Sequence, residues 1–203
     1  MAGSWFDRPW FFPTVIAALI VGGAFDLFGT FIYQPDFEHE ANPISLTLRP
    51  YGLRLNWPMV IVGKALVCIV CACGLRLFLK RRRHYYPPHG GNFRESITYF
   101  FYGRSLGWFE SLYRWPRSLT PAALSILAIW SLGGPYFTYL GYGNLASKYG
   151  WWQLGGIWVG RYWIDWSLPL WLSVECSFLF WQLWRDFQAV PSLEDSPTRV
   201  ENP

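Results

Sequence analysis

The sequence predicts an all-α integral membrane protein with four transmembrane helices and one amphipathic helix on the cytoplasmic membrane face. The 203 residues are 52% apolar and only 15% charged, whereas about a quarter of the residues in soluble domains are charged. Several apolar segments also reach the roughly 20 helical residues that are needed to cross a hydrocarbon core about 30 Å thick. Trp or Tyr residues stand near the ends of these segments, at the level where aromatic rings settle among lipid headgroups.

The apolar segments predict helices over 10–33, 57–79, 119–142 and 166–184, of which the last is the shortest. The first segment resembles a signal peptide only superficially. It is full length, it follows one Arg and one Asp, and no Ala-x-Ala cleavage site comes after it. We therefore expect it to remain on the mature protein as a transmembrane helix.

The basic residues predict the orientation of these helices. The connection from Lys80 to Ser118 holds eight of the 17 basic residues of the chain, whereas the connections on the other side hold Arg49, Arg54, Lys148 and Arg161. The positive-inside rule then places this connection and both termini in the cytoplasm of a bacterial cell, in its inner or intracytoplasmic membrane. The net charge of +4 is explained by this topology and does not indicate nucleic-acid binding.

The basic connection contains two further features. Its first four residues are basic, and such a run directly after a helix is typical of contact with anionic lipid headgroups; the four are Lys80, Arg81, Arg82 and Arg83. Apolar residues then recur at helical spacing over 93–114, which predicts an amphipathic interfacial helix, broken near Gly103 or Gly107. This helix would contact either lipid or a partner subunit.

The remaining segments complete one transmembrane domain over 1–190. Residues 143–165 are rich in Trp and Gly, and three arrangements stay open for them: a re-entrant element, a surface-lying element or a fifth span. Lys148, Arg161 and five glycines argue against the fifth span. Residues 191–203 have almost no apolar content and predict a flexible tail.

Three ionisable residues lie deep inside the predicted spans. Asp26, Lys64 and Glu175 stand seven, seven and nine residues from the outer ends of their helices, or roughly 10, 10 and 14 Å at 1.5 Å per residue. A lone charge at the centre of a membrane helix costs about 2.5–3.5 kcal/mol. We therefore expect Asp26 to pair with Lys64 and fix the first helix against the second, while Glu175 shares Lys64 or stays protonated. A proton or ion relay is the alternative role.

A short motif accompanies Asp26. Thr30 follows it by one helical turn and can donate a hydrogen bond to it, and Glu40, Asn42 and Pro43 follow in the outer loop. This Asp-x-x-x-Thr…Glu-x-Asn-Pro pattern resembles that of a group of uncharacterised small multi-helix bacterial membrane proteins. The resemblance covers about 20 residues. It implies a multi-helix membrane topology and carries no activity with it.

Residues that could hold a cofactor are scarce. His39, His84 and His89 all fall outside the predicted spans, so an intramembrane haem or chlorin would lack its usual axial ligand. We expect no metal site: Asp36, Glu38, His39 and Glu40 are too crowded to converge on one ion. Four cysteines lie inside predicted helices and suit core packing: Cys68, Cys71, Cys73 and Cys176. Peripheral contact with a lipid, a quinone or a pigment stays open.

These features favour a non-catalytic accessory or scaffold subunit of a large membrane complex. No Gly-x-Ser-x-Gly, His-Glu-x-x-His or phosphate-loop motif is present, which argues against an enzyme. The 42 aromatic residues and the close-packing glycines suit contact with other integral membrane subunits. An energy-transducing complex is the favoured setting, either photosynthetic (a reaction centre with its antenna) or respiratory. The alternative is a small transporter or proton or ion relay that uses Asp26, Lys64 and Glu175.

Overall fold

The computed structural model describes residues 4–33, 35, 56–87, 92–116, 118–149 and 162–189. These residues form helices and contain no strand, which confirms the all-α class for this part of the chain. Two are short 3-10 helices, Trp5–Asp7 and Arg82–Tyr85. The α-helices are α1 (Phe11–Tyr33), α2 (Trp57–Arg81), α3 (Phe93–Tyr102), α4 (Trp108–Tyr113), α5 (Thr120–Leu132), α6 (Gly134–Tyr149) and α7 (Tyr162–Ala189).

Two helices in the described part of the chain are long and apolar enough to cross a membrane. These are α1 and the continuous helix Trp57–Tyr85, which joins α2 to the second 3-10 helix. Long apolar runs favour such helices, because inside lipid the backbone N–H and C=O groups of a segment must form hydrogen bonds with each other. Helix α7 holds the predicted span 166–184 but does not belong to this set, so its crossing of a membrane stays a prediction.

The predicted span 119–142 is divided into α5 and α6. The pair Thr120–Leu132 and Gly134–Ala146 is bent by 45° and would be a third span if it crosses as one unit. The break lies at Gly133, directly before Gly134 and Pro135. Proline lacks an amide hydrogen and is tolerated in the first turn of a helix but not in its interior, so the sequence ends one helix here and starts another.

The chain divides into two compact units. Unit 1 comprises Met1–Pro13, Cys73–Trp130 and Val174–Pro203, and unit 2 comprises Thr14–Ala72 and Ser131–Ser173. The single domain over 1–190 stays a prediction. The tail 191–203 and the stretch 150–161 lie outside the described residues.

Aromatic rings fill the core of unit 1. The ring of Phe6 meets those of Phe11 and Phe78 edge to face at 5.4 and 5.6 Å, and Phe78 in turn meets Phe100 at 6.4 Å. Edge-to-face contacts of this kind add about 0.5–1.5 kcal/mol each to the gain from burial. They connect the segment before α1, the end of α2 and α3.

Unit 2 is held together by close contact between α1 and α6. A Cβ atom added at Gly29 would lie 2.5 Å from the carbonyl oxygen of Gly141. A Cβ atom added at Gly22 would overlap the carbonyl oxygen of Gly134. Glycine at these positions therefore allows the two backbones to touch. Leu19, Cys71 and Phe137 form the buried cluster beside this contact.

The predicted interfacial helix 93–114 consists of α3 and α4. Asn92 and Glu95 form a reciprocal capping box at the start of α3, and Gly103 ends this helix in the left-handed conformation with φ 68°, which favours glycine. Helix α4 begins after Gly107. The break thus lies between the two glycines that the sequence analysis named.

Candidate functional site

A network of charged side chains, of which two are buried and two are about half exposed, is the main polar feature of unit 1. Asp7 belongs to the 3-10 helix before α1, Arg82 follows α2 directly, and Asp186 lies near the end of α7. The Nε atom of Arg82 is 2.6 Å from Oδ2 of Asp186, and its Nη2 atom is 2.7 Å from Oδ1 of Asp7. One guanidinium therefore joins three segments that are far apart in sequence. Its planar fork of donors suits such two-sided contact with carboxylates.

Arg83 and Tyr86 complete this charge network. Nη2 of Arg83 lies 2.7 Å from Oδ2 of Asp7 and 3.2 Å from Oδ1 of Asp186. The hydroxyl of Tyr86 donates to Oδ2 of Asp186 over 2.7 Å. The side chain of Asp186 is fully buried, that of Arg82 is 5% exposed and that of Arg83 is 51% exposed. Two cations face two carboxylates, so the network is electrically balanced.

The network sets the protonation of two members. Burial alone would raise the pKa of the Asp186 carboxyl, but its hydrogen bonds and the charge of Arg82 hold that pKa below its ordinary value. Burial, together with the neighbouring charge of Asp186, raises the pKa of the Tyr86 hydroxyl. Asp186 is therefore ionised and Tyr86 is a hydrogen-bond donor at neutral pH.

Additional contacts fasten the first residues of the chain to α7. The backbone amide of Trp5 donates to Oε1 of Gln182 over 3.1 Å, and the Trp5 ring packs on that of Phe178 at 5.6 Å. The Arg82 guanidinium lies 5.3 Å from the centre of the Phe6 ring, within the range of a cation–π contact. The segment before α1 is thus part of the folded unit.

Unit 2 contains the ion pair that the sequence analysis proposed. Nζ of Lys64 lies 2.7 Å from Oδ2 of Asp26, and the side chains are 20% and 17% exposed. The same ammonium group stands 3.9 Å above the centre of the Phe137 ring. A Cβ atom at Gly23 would lie 3.4 Å from Cε of Lys64, so the Lys64 stem runs close along α1.

The predicted intramembrane cluster has two further members, Thr30 and Glu175. Thr30 accepts a hydrogen bond from Nδ2 of Asn144 over 3.1 Å, and the described hydrogen bonds do not include the predicted donation from Thr30 to Asp26. Glu175 belongs to unit 1, whereas Asp26 and Lys64 belong to unit 2. Its side chain is buried, and its Oε1 atom has no hydrogen-bond partner among the described residues.

The run of four basic residues has a mixed role. Lys80, Arg81 and Arg83 are exposed, which suits the predicted contact with lipid headgroups. Arg82 differs from that prediction: it is buried and bound to Asp7 and Asp186 within the chain. Arg82 is the first residue of the 3-10 helix that follows α2, and its side chain points inward from there. The outer-loop motif Glu40, Asn42 and Pro43 lies outside the described residues.

Sites for a metal or a larger ligand are limited. The described residues contain no group of three or more His, Cys, Asp and Glu side chains that could hold a metal ion. Cys68, Cys71, Cys73 and Cys176 are free thiols. An aromatic cavity of about 320 Å³ lies in unit 1, lined by His84, Tyr85, Tyr99, Phe100, Phe101, Gly103, Ser118 and Pro121.

Sequence reasoning did not find Asp7 and Asp186 as functional residues. Both stand near the ends of apolar segments, where a carboxylate is ordinary. One feature of the sequence could have indicated them. Four basic residues stand together at the end of α2, and carboxylates from other segments are suited to balance their charge. Comparison with protein-family models, curated proteins and solved structures finds no match for this chain.

Proposed function

We propose that this chain is an integral membrane protein and acts as a non-catalytic accessory or scaffold subunit of a larger membrane complex. The observation that carries this proposal is an aromatic patch in the segment between α3 and α5. Phe109, Tyr113 and Trp115 are 83%, 71% and 86% exposed, and Leu119 is 66% exposed. These values exceed the exposure of every large apolar side chain on α1 and α2, and large exposed aromatic residues are typical of protein contacts.

The charge network supports a topology for the proposal. Asp7, Arg82 and Asp186 are in direct contact, so the segments that carry them lie on one side of the membrane. The number of crossings between Arg82 and Asp186 is then even. One crossing by the bent pair α5–α6 and one by α7 would give two crossings between these residues, which is an even number. With α1 and α2 the chain would cross the membrane four times. The excess of basic residues assigns this side to the cytoplasm.

The topology can be tested by labelling single cysteines from the outside of intact cells. The four native cysteines would be replaced by alanine or serine, and one cysteine introduced at His39 or at Ser118. We expect labelling at position 39 and none at position 118 until the cells are permeabilised. Labelling at 118 in intact cells would refute the proposed orientation.

The ion pair of unit 2 supports a scaffold rather than a relay. Asp26 and Lys64 neutralise each other at contact distance, and the Phe137 ring and α1 confine the Lys64 side chain. A relay that cycles its charges needs groups that separate, whereas this arrangement suits a fixed joint between two helices. The energy-transducing setting, photosynthetic or respiratory, rests on the aromatic content alone.

The partners in this proposal are other integral membrane subunits and anionic lipids. Lys80 and Arg81 are exposed at the end of α2 and would contribute about 1 kcal/mol each near an anionic surface. The aromatic patch would contact a protein subunit.

The scaffold proposal is tested by site-specific photocrosslinking in native membranes. A photoreactive phenylalanine analogue would replace Trp115, and in a matched variant Ile126, which is 54% exposed on α5. We expect the first variant to crosslink to a distinct polypeptide and the second to do so weakly. Native electrophoresis in mild detergent should place the chain in an assembly far larger than its own 23.7 kDa.

Two results would contradict the scaffold proposal. One is a monomer in mild detergent, with crosslinks from position 115 only to lipid. The other is turnover of a substrate by the purified chain. Quenching of Trp115 by brominated lipids, measured against a Trp115→Phe variant, would assign the aromatic patch to the bilayer instead of a partner.

A further inference from the structure

Glu175 differs from the other acidic side chains that the structure describes. Asp26 is paired with Lys64, and Asp7 and Asp186 share Arg82 and Arg83. The remaining two also have partners: Glu95 accepts from the backbone amide of Asn92 over 3.2 Å, and Glu110 lies 3.6 Å from Arg114. Among these six acids, Glu175 is the one without an ion-pair partner or a hydrogen-bond donor to its buried oxygen.

Glu175 is buried, and buried leucines follow it along α7. The residue is 8% exposed, and Leu179 and Leu183, which follow it on the same face of α7, are 1% and 2% exposed. No described cation forms an ion pair with it, and this includes Arg76, the basic residue within α2. The titratable neighbour on its own helix is the Cys176 thiol, which is neutral at neutral pH.

An ionised carboxylate in this position would be costly. Transfer of an unpaired charge out of water costs several kcal/mol even after the protein relaxes, and a group so placed takes up a proton instead. A protonated carboxyl removes the charge and turns one acceptor oxygen into a donor. The burial and the missing partner therefore favour the neutral acid.

We propose that Glu175 is a proton-binding site, whose carboxyl holds a proton at neutral pH and exchanges it with the solution. The face of α7 that carries Glu175 also carries Gln182 and Asp186, seven and eleven residues further on, and both are fully buried. At 3.6 residues per turn these positions align. Gln182 therefore stands on this face of α7 between Glu175 and Asp186, the member of the charge network on the same helix.

Glu175 is consequently a modification site for hydrophobic carbodiimides. The carboxyl proton passes to one nitrogen of the reagent while the carboxyl oxygen bonds to its central carbon. The resulting O-acylisourea rearranges to an N-acylurea that retains every atom of both reactants. The reaction needs a protonated acid in an apolar place, so Asp26, Asp7 and Asp186 serve as internal controls because their carboxylates are paired.

The test treats the purified full-length chain with dicyclohexylcarbodiimide at neutral pH and maps the adduct by mass spectrometry. We expect the adduct on the peptide that contains Glu175, none on the peptide that contains Asp26, and less adduct as the pH is raised. An adduct on Asp26 instead, or none on Glu175, would overturn the proposal. This measurement uses the unmodified chain and does not depend on whether a Glu175 variant folds.

Infrared spectroscopy gives a second, independent readout. The chain at neutral pH should show the C=O stretch of a protonated carboxyl, shifted in deuterated water. This band should be lost in Glu175→Gln and retained in the partly exposed control Glu95→Gln. A band that survives Glu175→Gln would assign the proton to another acid, and a band that does not shift would refute exchange. Neither result bears on the scaffold proposal, which the crosslinking experiment tests separately.

Discussion

Removing either partner of the Asp26–Lys64 ion pair should destabilise unit 2, and the loss of stability should depend on which partner is removed. Asp26→Asn leaves the Lys64 ammonium over the ring of Phe137, 3.9 Å from its centre, so a cation–π contact of about 0.5–2 kcal/mol remains. Lys64→Met removes both the pair and this contact, and it leaves a carboxylate that is 17% exposed. The lysine variant should therefore be the less stable of the two.

The magnitude follows from the burial of the pair. Breaking a buried ion pair by removing one partner costs about 3–5 kcal/mol, and exposed pairs cost about 0.2–1 kcal/mol. With side chains about four-fifths buried, we expect about 3–5 kcal/mol for Lys64→Met and about 2–3 kcal/mol for Asp26→Asn. The double variant should recover about 1–3 kcal/mol relative to the sum of the two single losses.

The assay is a double-mutant cycle on the purified chain in mild detergent, with unfolding followed by circular dichroism. Glu110 and Arg114 provide the matched control, since they form a more exposed pair at 3.6 Å between α4 and the residue that caps its end. Their cycle should give no more than about 0.5 kcal/mol. Simple additivity of Asp26→Asn and Lys64→Met would refute the reasoning, because residues in contact do not behave independently.

Three other perturbations have defined outcomes. Gly29→Ala should cost about 1–3 kcal/mol because its Cβ would collide with the backbone of Gly141, whereas Gly63→Ala, with nothing within 4 Å, should stabilise α2 by about 0.5–1 kcal/mol; thermal unfolding compares the two. Asp186→Asn should cost about 3–5 kcal/mol by leaving Arg82 without its buried partner, and denaturant unfolding checks this value. The folded-state pKa of Asp186 is lowered from 3.8, so its contribution is present above that pH and is lost as the pH falls through the lower folded value. Unfolding temperatures should therefore drop in acid, and less so in Asp186→Asn.

The sequence was sufficient for contacts that depend on depth along neighbouring helices. Asp26 and Lys64 could be paired because consecutive predicted spans form a hairpin and the two residues stand equally far from its predicted outer end. The break between α3 and α4 was predicted near Gly103 or Gly107, and it begins at Gly103, whose left-handed conformation suits glycine. These inferences use only local geometry and the order of the helices.

The sequence could not predict contacts that depend on the rotation of a helix about its axis or on segments far apart in the chain. Arg82 stands in a row of four basic residues, and the 3-10 turn after α2 decides which of them points inward. Its partner Asp186 lies 104 positions away. Thr30 likewise bonds with Asn144, 114 positions away, because the glycines of α1 and α6 bring these helices into contact. The periodicity of a single sequence does not specify which residues of distant segments pair with each other.

The charge network limits the attraction that the proposed contact of the basic run at the end of α2 with lipid would provide. Two of its four cations, Arg82 and Arg83, face Asp7 and Asp186, so their charges are balanced within the chain. Lys80 and Arg81 form no ion pair with a described side chain. If the run faces anionic lipid as proposed, its attraction would therefore amount to about 2 kcal/mol, at about 1 kcal/mol per cation, instead of twice that. In that setting the run would fasten α7 and the segment before α1 as well as contact lipid.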